Sequence, residues 1–256
     1  MCLAVLLHRQ IDRFPIVLAA NREESYGRSS LSPHWFGDLA LFAGRDEAAG
    51  GTWLGMNPHG LVVAVTNRHD GRRAESDEGA PLEKLRSRGL LCLDALKLES
   101  SKEALNWADD HLADERYNPF DLLIVDRHDA FVLHGAGPHR IVELEPGLHV
   151  LSETDIDDAA NRRITRTSEL IGDRLDHSIA TAEGVLKSVM VQHGDEARQE
   201  EWMCRHLTHG GTVSSAILAV PDDGLEEARY SFAPGPPCSH PYEDRSAPLR
   251  EGPGAR

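Results

Sequence analysis

The chain has 256 residues, 40% of them hydrophobic and 27% charged, the balance of a globular protein with room for a sizeable core. Forty-two acidic against 27 basic residues leave a formal net charge of −15, which argues against a broad electrostatic grip on nucleic acid or anionic lipid. Four scattered cysteines without a CxxC pair signal neither a zinc ribbon nor a disulfide framework, and no apolar stretch approaches the length of a membrane span.

The first predicted elements are strands. Residues 2–8 and 14–20 are apolar runs separated by Arg9-Gln10-Ile11-Asp12-Arg13, which predicts a hairpin with a medium loop. The opening run lacks a basic start and is soon interrupted by charge, so it does not read as a signal peptide, and a cytoplasmic location is expected. Neither run alternates apolar with polar residues, so both strands should be covered on both faces. The second ends in Asn21-Arg22-Glu23-Glu24, and antiparallel pairing brings that end beside Cys2. A short strand is expected over 35–43 and a tight glycine-rich approach over 50–55. Then come a turn at 57–60 and a doubly buried strand over 60–66 that ends on Asn67. Residues 68–81 read as a charged loop, a candidate lid or a mobile excursion, with the mobile reading preferred.

Helices are predicted over 81–98 and 101–113, the second with Leu105, Ala108 and Leu112 on one stripe and a serine cap. Strands follow at 121–126, 130–134, 139–144 and 147–152, helices at 158–175 and 181–193, and a last apolar strand at 215–220. From residue 233 the chain turns rich in Pro, Gly and charge, a tail expected to be partly disordered. No repeat or linker interrupts residues 1–232, which read as a single layered α+β domain.

The chemistry starts at Cys2. A cysteine at position 2 is small enough for the initiator methionine to be removed, leaving a thiol and a free α-amine on one residue. The thiol is a fair nucleophile, and an amine whose reference pKa is near 8 can act as its base. Taken alone, Cys2 also fits a small hydrophobe inside a strand. The Asn21–Glu24 cluster likewise fits a strand-end turn that satisfies backbone groups.

Several motifs recur together. Met1-Cys2, Leu18-Ala19-Ala20-Asn21-Arg22-Glu23-Glu24, Gly50-Gly51-Thr52-Trp53-Leu54-Gly55 and Val65-Thr66-Asn67-Arg68 are followed by Arg86-Ser87-Arg88-Gly89, Tyr117-Asn118-Pro119-Phe120-Asp121, Gly147-Leu148-His149-Val150-Leu151-Ser152 and Gly211-Thr212-Val213-Ser214-Ser215. Together they resemble the NRDE family, also called the transport and Golgi organisation protein 2 family, across most of residues 1–232. The resemblance implies an Ntn-hydrolase-like four-layer αββα sandwich with two stacked, mainly antiparallel sheets, and Cys2 at the position of that fold's nucleophile. It leaves the substrate open, since family members have been linked to haem mobilisation and to lipid or acyl-CoA metabolism. Glu23 stands where the motif has Asp, Val213 where the late element has Arg, and no Trp-Pro follows Ser152.

On that reading Cys2 attacks an amide carbonyl while its α-amine carries the proton. Arg22 steadies the thiolate or holds an anionic group, and one of Glu23 or Glu24 orients the α-ammonium. Strand alternation keeps those two carboxylates from facing the site together. Asn67 is the candidate oxyanion donor, with Asn161 as a weaker second. The candidate catalytic set is therefore Cys2, Asn21, Arg22, Glu23, Glu24 and Asn67, acting on a small-molecule substrate without a cofactor. Cys204, His206 and His209 form the one histidine cluster, with His206 and His209 at helical spacing, but no metal site is expected from them. The alternative is a non-catalytic carrier that holds haem or an acyl-CoA-type ligand.

Overall fold

The computed structural model describes residues 2–37, 39–68, 85–135 and 138–252. In chain order they form β1 (Cys2–Ile11), β2 (Phe14–Ser25), β3 (Ser30–Phe36), β4 (Leu41–Asp46), β5 (Leu54–Met56), β6 (Val62–Asn67), α1 (Arg88–Ala95), α2 (Ser101–His111), β7 (Phe120–Val125), β8 (Ala130–Gly135), β9 (Arg140–Glu143), β10 (Gly147–Leu151), α3 (Arg162–Ile171), α4 (Ile179–Met190), β11 (Gly210–Val220), β12 (Arg229–Ala233), β13 (Glu243–Asp244) and α5 (Ser246–Glu251). The chain divides into two compact units, Met1–Arg28 with Glu145–Glu251 and Ser29–Leu144 with Gly252–Arg256. Each unit holds one sheet, and the paired strands within it are antiparallel.

In the first unit the strand order is β10-β1-β2-β11-β12-β13. Leu3, Val5, Leu7, Val17, Ala19, Ile217 and Ala219 point to one face, where they pack with Ile164 and Ile171 of α3 and with Val185, Leu186, Val189 and Met190 of α4. Ala4, Leu6, Ile16, Leu18, Ala216 and Leu218 alternate to the other face and are buried too. That double burial is why these runs lack polar alternation, and each fully buried Leu or Ile contributes about 1.5–3 kcal/mol.

The hairpin loop is shorter than the sequence suggests. Arg9 takes a left-handed φ of 55° at a bulge, which lets Ile11 rejoin the ladder opposite Phe14 and leaves Asp12-Arg13 as the whole turn. After Ala233, β13 pairs with β12 and Leu249 of α5 is buried. Residues 253–256, the end of the expected tail, lie outside the described residues.

The second unit orders its strands β3-β4-β5-β6-β7-β8-β9. Leu91, Cys92 and Leu96 of the α1 region and Ala104, Leu105 and Ala108 of α2 pack on Val63, Val65, Leu122, Ile124 and Leu133. The strand expected over 35–43 is two strands, because Ala40 adopts a φ of 50° and turns the chain between β3 and β4. The helix expected over 81–98 starts only at Arg88. Residues 81–84, like most of the 68–81 loop, lie outside the described residues. The glycine motif makes the expected close approach: a Cβ on Gly51 would lie 2.2 Å from the Gly89 carbonyl carbon, while Thr52 N–H donates to Gly89 O at 2.9 Å. Two of the motifs singled out in the sequence therefore meet backbone to backbone.

Candidate active site

The end of the first sheet sets Cys2 in a row of three. In the antiparallel register Cys2 lies opposite Arg22, and Arg22 lies opposite Ser214. Residues directly opposite one another share a face, with Cβ atoms about 5 Å apart. Ala4, Ala20 and Ala216 form the next row on that face and keep it shallow. Cys2 is partly exposed, whereas Arg22 and Ser214 are buried. Ser214 Oγ has no hydrogen-bond partner among the described residues. Ser152, just past β10, donates from its hydroxyl to the Cys2 carbonyl at 3.4 Å.

The opposite face of the same strand ends carries a different construction. Asn21 is fully buried, and its Nδ2 donates to the carbonyls of Met190 (2.9 Å) and Met203 (2.8 Å). These bonds tie the end of α4 and the segment before β11 to β2. Glu23 receives Arg163, the second residue of α3, on both carboxylate oxygens. Arg205 approaches Glu23 Oε2 at 3.5 Å and bonds Glu153. Arg163 also donates to Met203 O at 3.0 Å and to Ser152 Oγ at 3.3 Å. Two arginines and two glutamates thus neutralise one another beneath Cys2, and Ser152 links them to the Cys2 carbonyl. Burial, and then the charge of Arg163, hold the Arg205 guanidinium below its ordinary pKa.

Alternation therefore splits the Asn21–Glu24 cluster. Arg22 shares the face of Cys2, while Asn21 and Glu23 face the α3 and α4 side. Glu24 alternates back toward the Cys2 face; its Oε1 accepts from Ser25 N and its Oε2 lies 3.6 Å from Arg28 Nε. Asn161 caps α3, accepting from Arg163 N and Ile164 N, with its amide nitrogen on Thr154 Oγ1. Both ends of that amide are occupied by local structure.

Asn67 belongs to the second unit. It ends β6 opposite Phe120, on the face of Val65, while Thr66 alternates toward Asp121 and His134. Arg68 donates to Asp121 Oδ1 at 3.0 Å, and the same oxygen bonds His134 Nδ1.

Sequence reasoning missed Arg163, Arg205, Ser152 and Ser214. Arg163 left a signal, since it falls on the helical stripe of Ile164, Thr167 and Ile171, where an arginine is out of place unless paired. Ser214 left none. It reaches the row only because β11 bulges between Thr212 and Ser214, with Val213 as the extra residue. The helix assumed for His206 and His209 is absent: His206 forms a β-bridge with Gly211. Among the described residues, the ligand group that does assemble is His193, Cys204, His206 and Cys238.

A family model described as Transport and Golgi organisation 2 matches residues 1–223. The chain belongs to the Transport and Golgi organisation 2 family. A Transport and Golgi organization protein 2 homolog from Bos taurus is 27% identical over 250 residues, covering 83% of this chain and 84% of that one. A homolog from Mus musculus is 30% identical over 155 residues, 55% of this chain, and the match spans about half (51%) of its own length.

Among solved structures, this family member resembles penicillin V acylase from Agrobacterium tumefaciens, with a TM-score of 0.55, 14% identity, and coverage of 91% of this chain and 83% of that one. It also resembles the Caenorhabditis elegans ortholog of N-acylethanolamine-hydrolyzing acid amidase, at a TM-score of 0.51, 13% identity, and 85% and 92% coverage. The mutant C2A conjugated bile acid hydrolase from Clostridium perfringens aligns at 0.50, with 11% identity and 95% and 96% coverage. At these identities the likeness shows the fold, which is of the Ntn-hydrolase type. Among the described residues no helix is long and apolar enough to cross a membrane.

Proposed function

We propose that the chain is a cytoplasmic N-terminal-cysteine hydrolase that cleaves a non-peptide amide or a related acyl bond of a small molecule. The observation that carries this reading is the row Cys2–Arg22–Ser214, in which a buried hydroxyl with no partner among the described residues lies on the face of a partly exposed thiol. A buried polar group without a partner costs free energy, so a bound substrate that pairs with it gains affinity. The neighbours on this fold are amide hydrolases by name, and one of them is studied as a C2A mutant, so it too has a cysteine at position 2.

In this mechanism removal of Met1 frees the Cys2 α-amine. The thiol adds to the substrate carbonyl while the amine takes its proton. Collapse of the tetrahedral adduct expels the amine or alcohol, which leaves with that proton, and water then hydrolyses the thioester by the reverse relay. Arg22 steadies the thiolate or an anionic substrate group. Glu24, two residues past Arg22 on β2 and alternating to the same face, is assigned to orient the ammonium. Asn21 and Glu23 act from the far face by fixing the end of β2 on which Arg22 stands.

Intact mass spectrometry after brief native alkylation tests the proposal. The expected result is loss of Met1 and rapid modification of Cys2, with Cys92 silent because it is fully buried and burial pushes its thiol up. A retained Met1 together with an inert Cys2 refutes the hydrolase and favours the carrier reading. Activity that survives an N-terminal extension sinks the α-amine step.

A further inference from the structure

Away from the Cys2 row, four side chains from three separate segments converge. The ligand atoms of His193, Cys204, His206 and Cys238 all lie within 4.8 Å of one another. Ten residues separate His193 from Cys204, and thirty-one separate His206 from Cys238, so the fold rather than a local motif makes the cluster. The two sulfurs are 3.6 Å apart, and His206 Nε2 lies 3.7 Å from Cys204 Sγ and 3.2 Å from Cys238 Sγ.

We propose that these four residues form a tetrahedral zinc site that staples the segment after β12 to the segment before β11. With zinc–sulfur bonds near 2.3 Å and zinc–nitrogen bonds near 2.0 Å, tetrahedral angles require about 3.8 Å between the sulfurs and about 3.5 Å from sulfur to nitrogen. The three separations among Cys204, His206 and Cys238 fit that frame to within a few tenths of an ångström, and the His193 ligand nitrogen, within 4.8 Å of each of them, is the fourth donor. Two thiolates and two imidazoles are a donor set for zinc rather than for magnesium or calcium, and four protein ligands close the shell, as in a structural site. Binding releases the two thiol protons to solvent and leaves the ion and its ligands with no net charge.

The surroundings hold the ligands in place. The His193 ring lies against Trp202 at 4.9 Å and edge-on to His206 at 5.1 Å. Gly194 permits the Trp202 contact, since a Cβ there would come within 3.0 Å of the indole. Cys204 N donates to Gln192 O at 3.0 Å, next to His193. Cys238 sits in a turn closed by Ser239 N and His240 N, both bonded to Pro236 O. Cys204 and His206 flank Arg205, whose side chain runs to Glu23 and Glu153 instead. A metal on the outer pair therefore fixes the middle residue in the ion cluster beneath Cys2.

The test uses the untagged full-length chain, expressed with added zinc and measured by inductively coupled plasma mass spectrometry, then reconstituted with Co2+. We expect one zinc per chain. The cobalt form should show the intense visible bands of a tetrahedral ion and a thiolate-to-cobalt charge-transfer band. Cys238→Ser and His193→Gln, both at exposed positions, should each weaken metal retention at least about tenfold. His209→Gln, an exposed neighbour outside the cluster, should leave it unchanged. Substoichiometric zinc in the wild type, a weak octahedral cobalt spectrum, or a Cys204–Cys238 disulfide in its place would overturn the proposal. The cobalt spectrum of the wild type decides the matter even where a variant fails to fold.

Discussion

Replacing Glu23 by glutamine keeps the side chain's shape and removes its charge, leaving the Arg163 and Arg205 guanidiniums to share Glu153. The side chains of Glu23, Arg163 and Arg205 are only 4%, 1% and 4% exposed, so water cannot take over the lost role. Removing one partner of such a buried set costs about 3–5 kcal/mol. For a chain of this size 1 kcal/mol moves the melting temperature by about 2–4 °C, so the variant should melt roughly 6–20 °C lower. Scanning calorimetry at low and high salt is the assay, and the deficit should persist in high salt because buried pairs are poorly screened. Glu23→Asp retains the charge but retracts it by one methylene, and should lose less. A Glu23→Gln variant within about 1 kcal/mol of the wild type, the value of an exposed pair, would refute the buried-cluster reasoning.

Asn21→Ala removes the side-chain donor to Met190 O and a donor to Met203 O, which keeps its bond from Arg163, and should destabilise by about 1–3 kcal/mol in denaturant titrations. Gly51→Ala drives a Cβ into the Gly89 backbone and should cost about 1–3 kcal/mol, while Gly89→Ala, with its nearest contacts at 3.1 and 3.3 Å, should cost less. Burial opposes charging of His149, but its bonds to Asp157 Oδ2 and Glu145 O, both at 2.7 Å, and the charge of Asp157 outweigh that and raise its pKa. The stability this pair contributes is therefore full below the ordinary histidine pKa near 6.5 and is lost as pH rises through the higher folded value. An NMR titration should find His149 above the ordinary value and Asp157→Asn should abolish the elevation; a wild-type value at or below the ordinary one contradicts the assignment.

The central strands were legible because double burial writes itself as unbroken apolar runs: 2–8, 14–20 and 121–126 all lie within or across paired strands. The neighbourhood of Cys2 and Arg22 was legible too, since hairpin register follows from chain order alone. The face that each residue of the 21–24 cluster takes is a matter of alternation, and the partners waiting there are distant in sequence. Glu23 reads as a catalytic candidate until Arg163, 140 residues away, is seen to hold it. Ser214 depends on a bulge, which shifts register by one residue and leaves no compositional mark. The Cys204–Cys238 proximity escaped for the same reason, because spacing rules capture only ligands that the chain presents locally.

The unit that carries Cys2 is discontinuous in the chain. β1 and β2 are made first, yet their sheet neighbours β10 and β11 begin only at Gly147 and Gly210. At 5–20 residues per second, the ribosome needs on the order of 10 s to cross the roughly 120 residues between β2 and β10. During that interval the nascent hairpin exposes two unpaired, apolar edges, the kind of template on which chains aggregate. Residues 29–144 are contiguous and can fold meanwhile, so the N-terminal hairpin is the segment for which a chaperone has most to do.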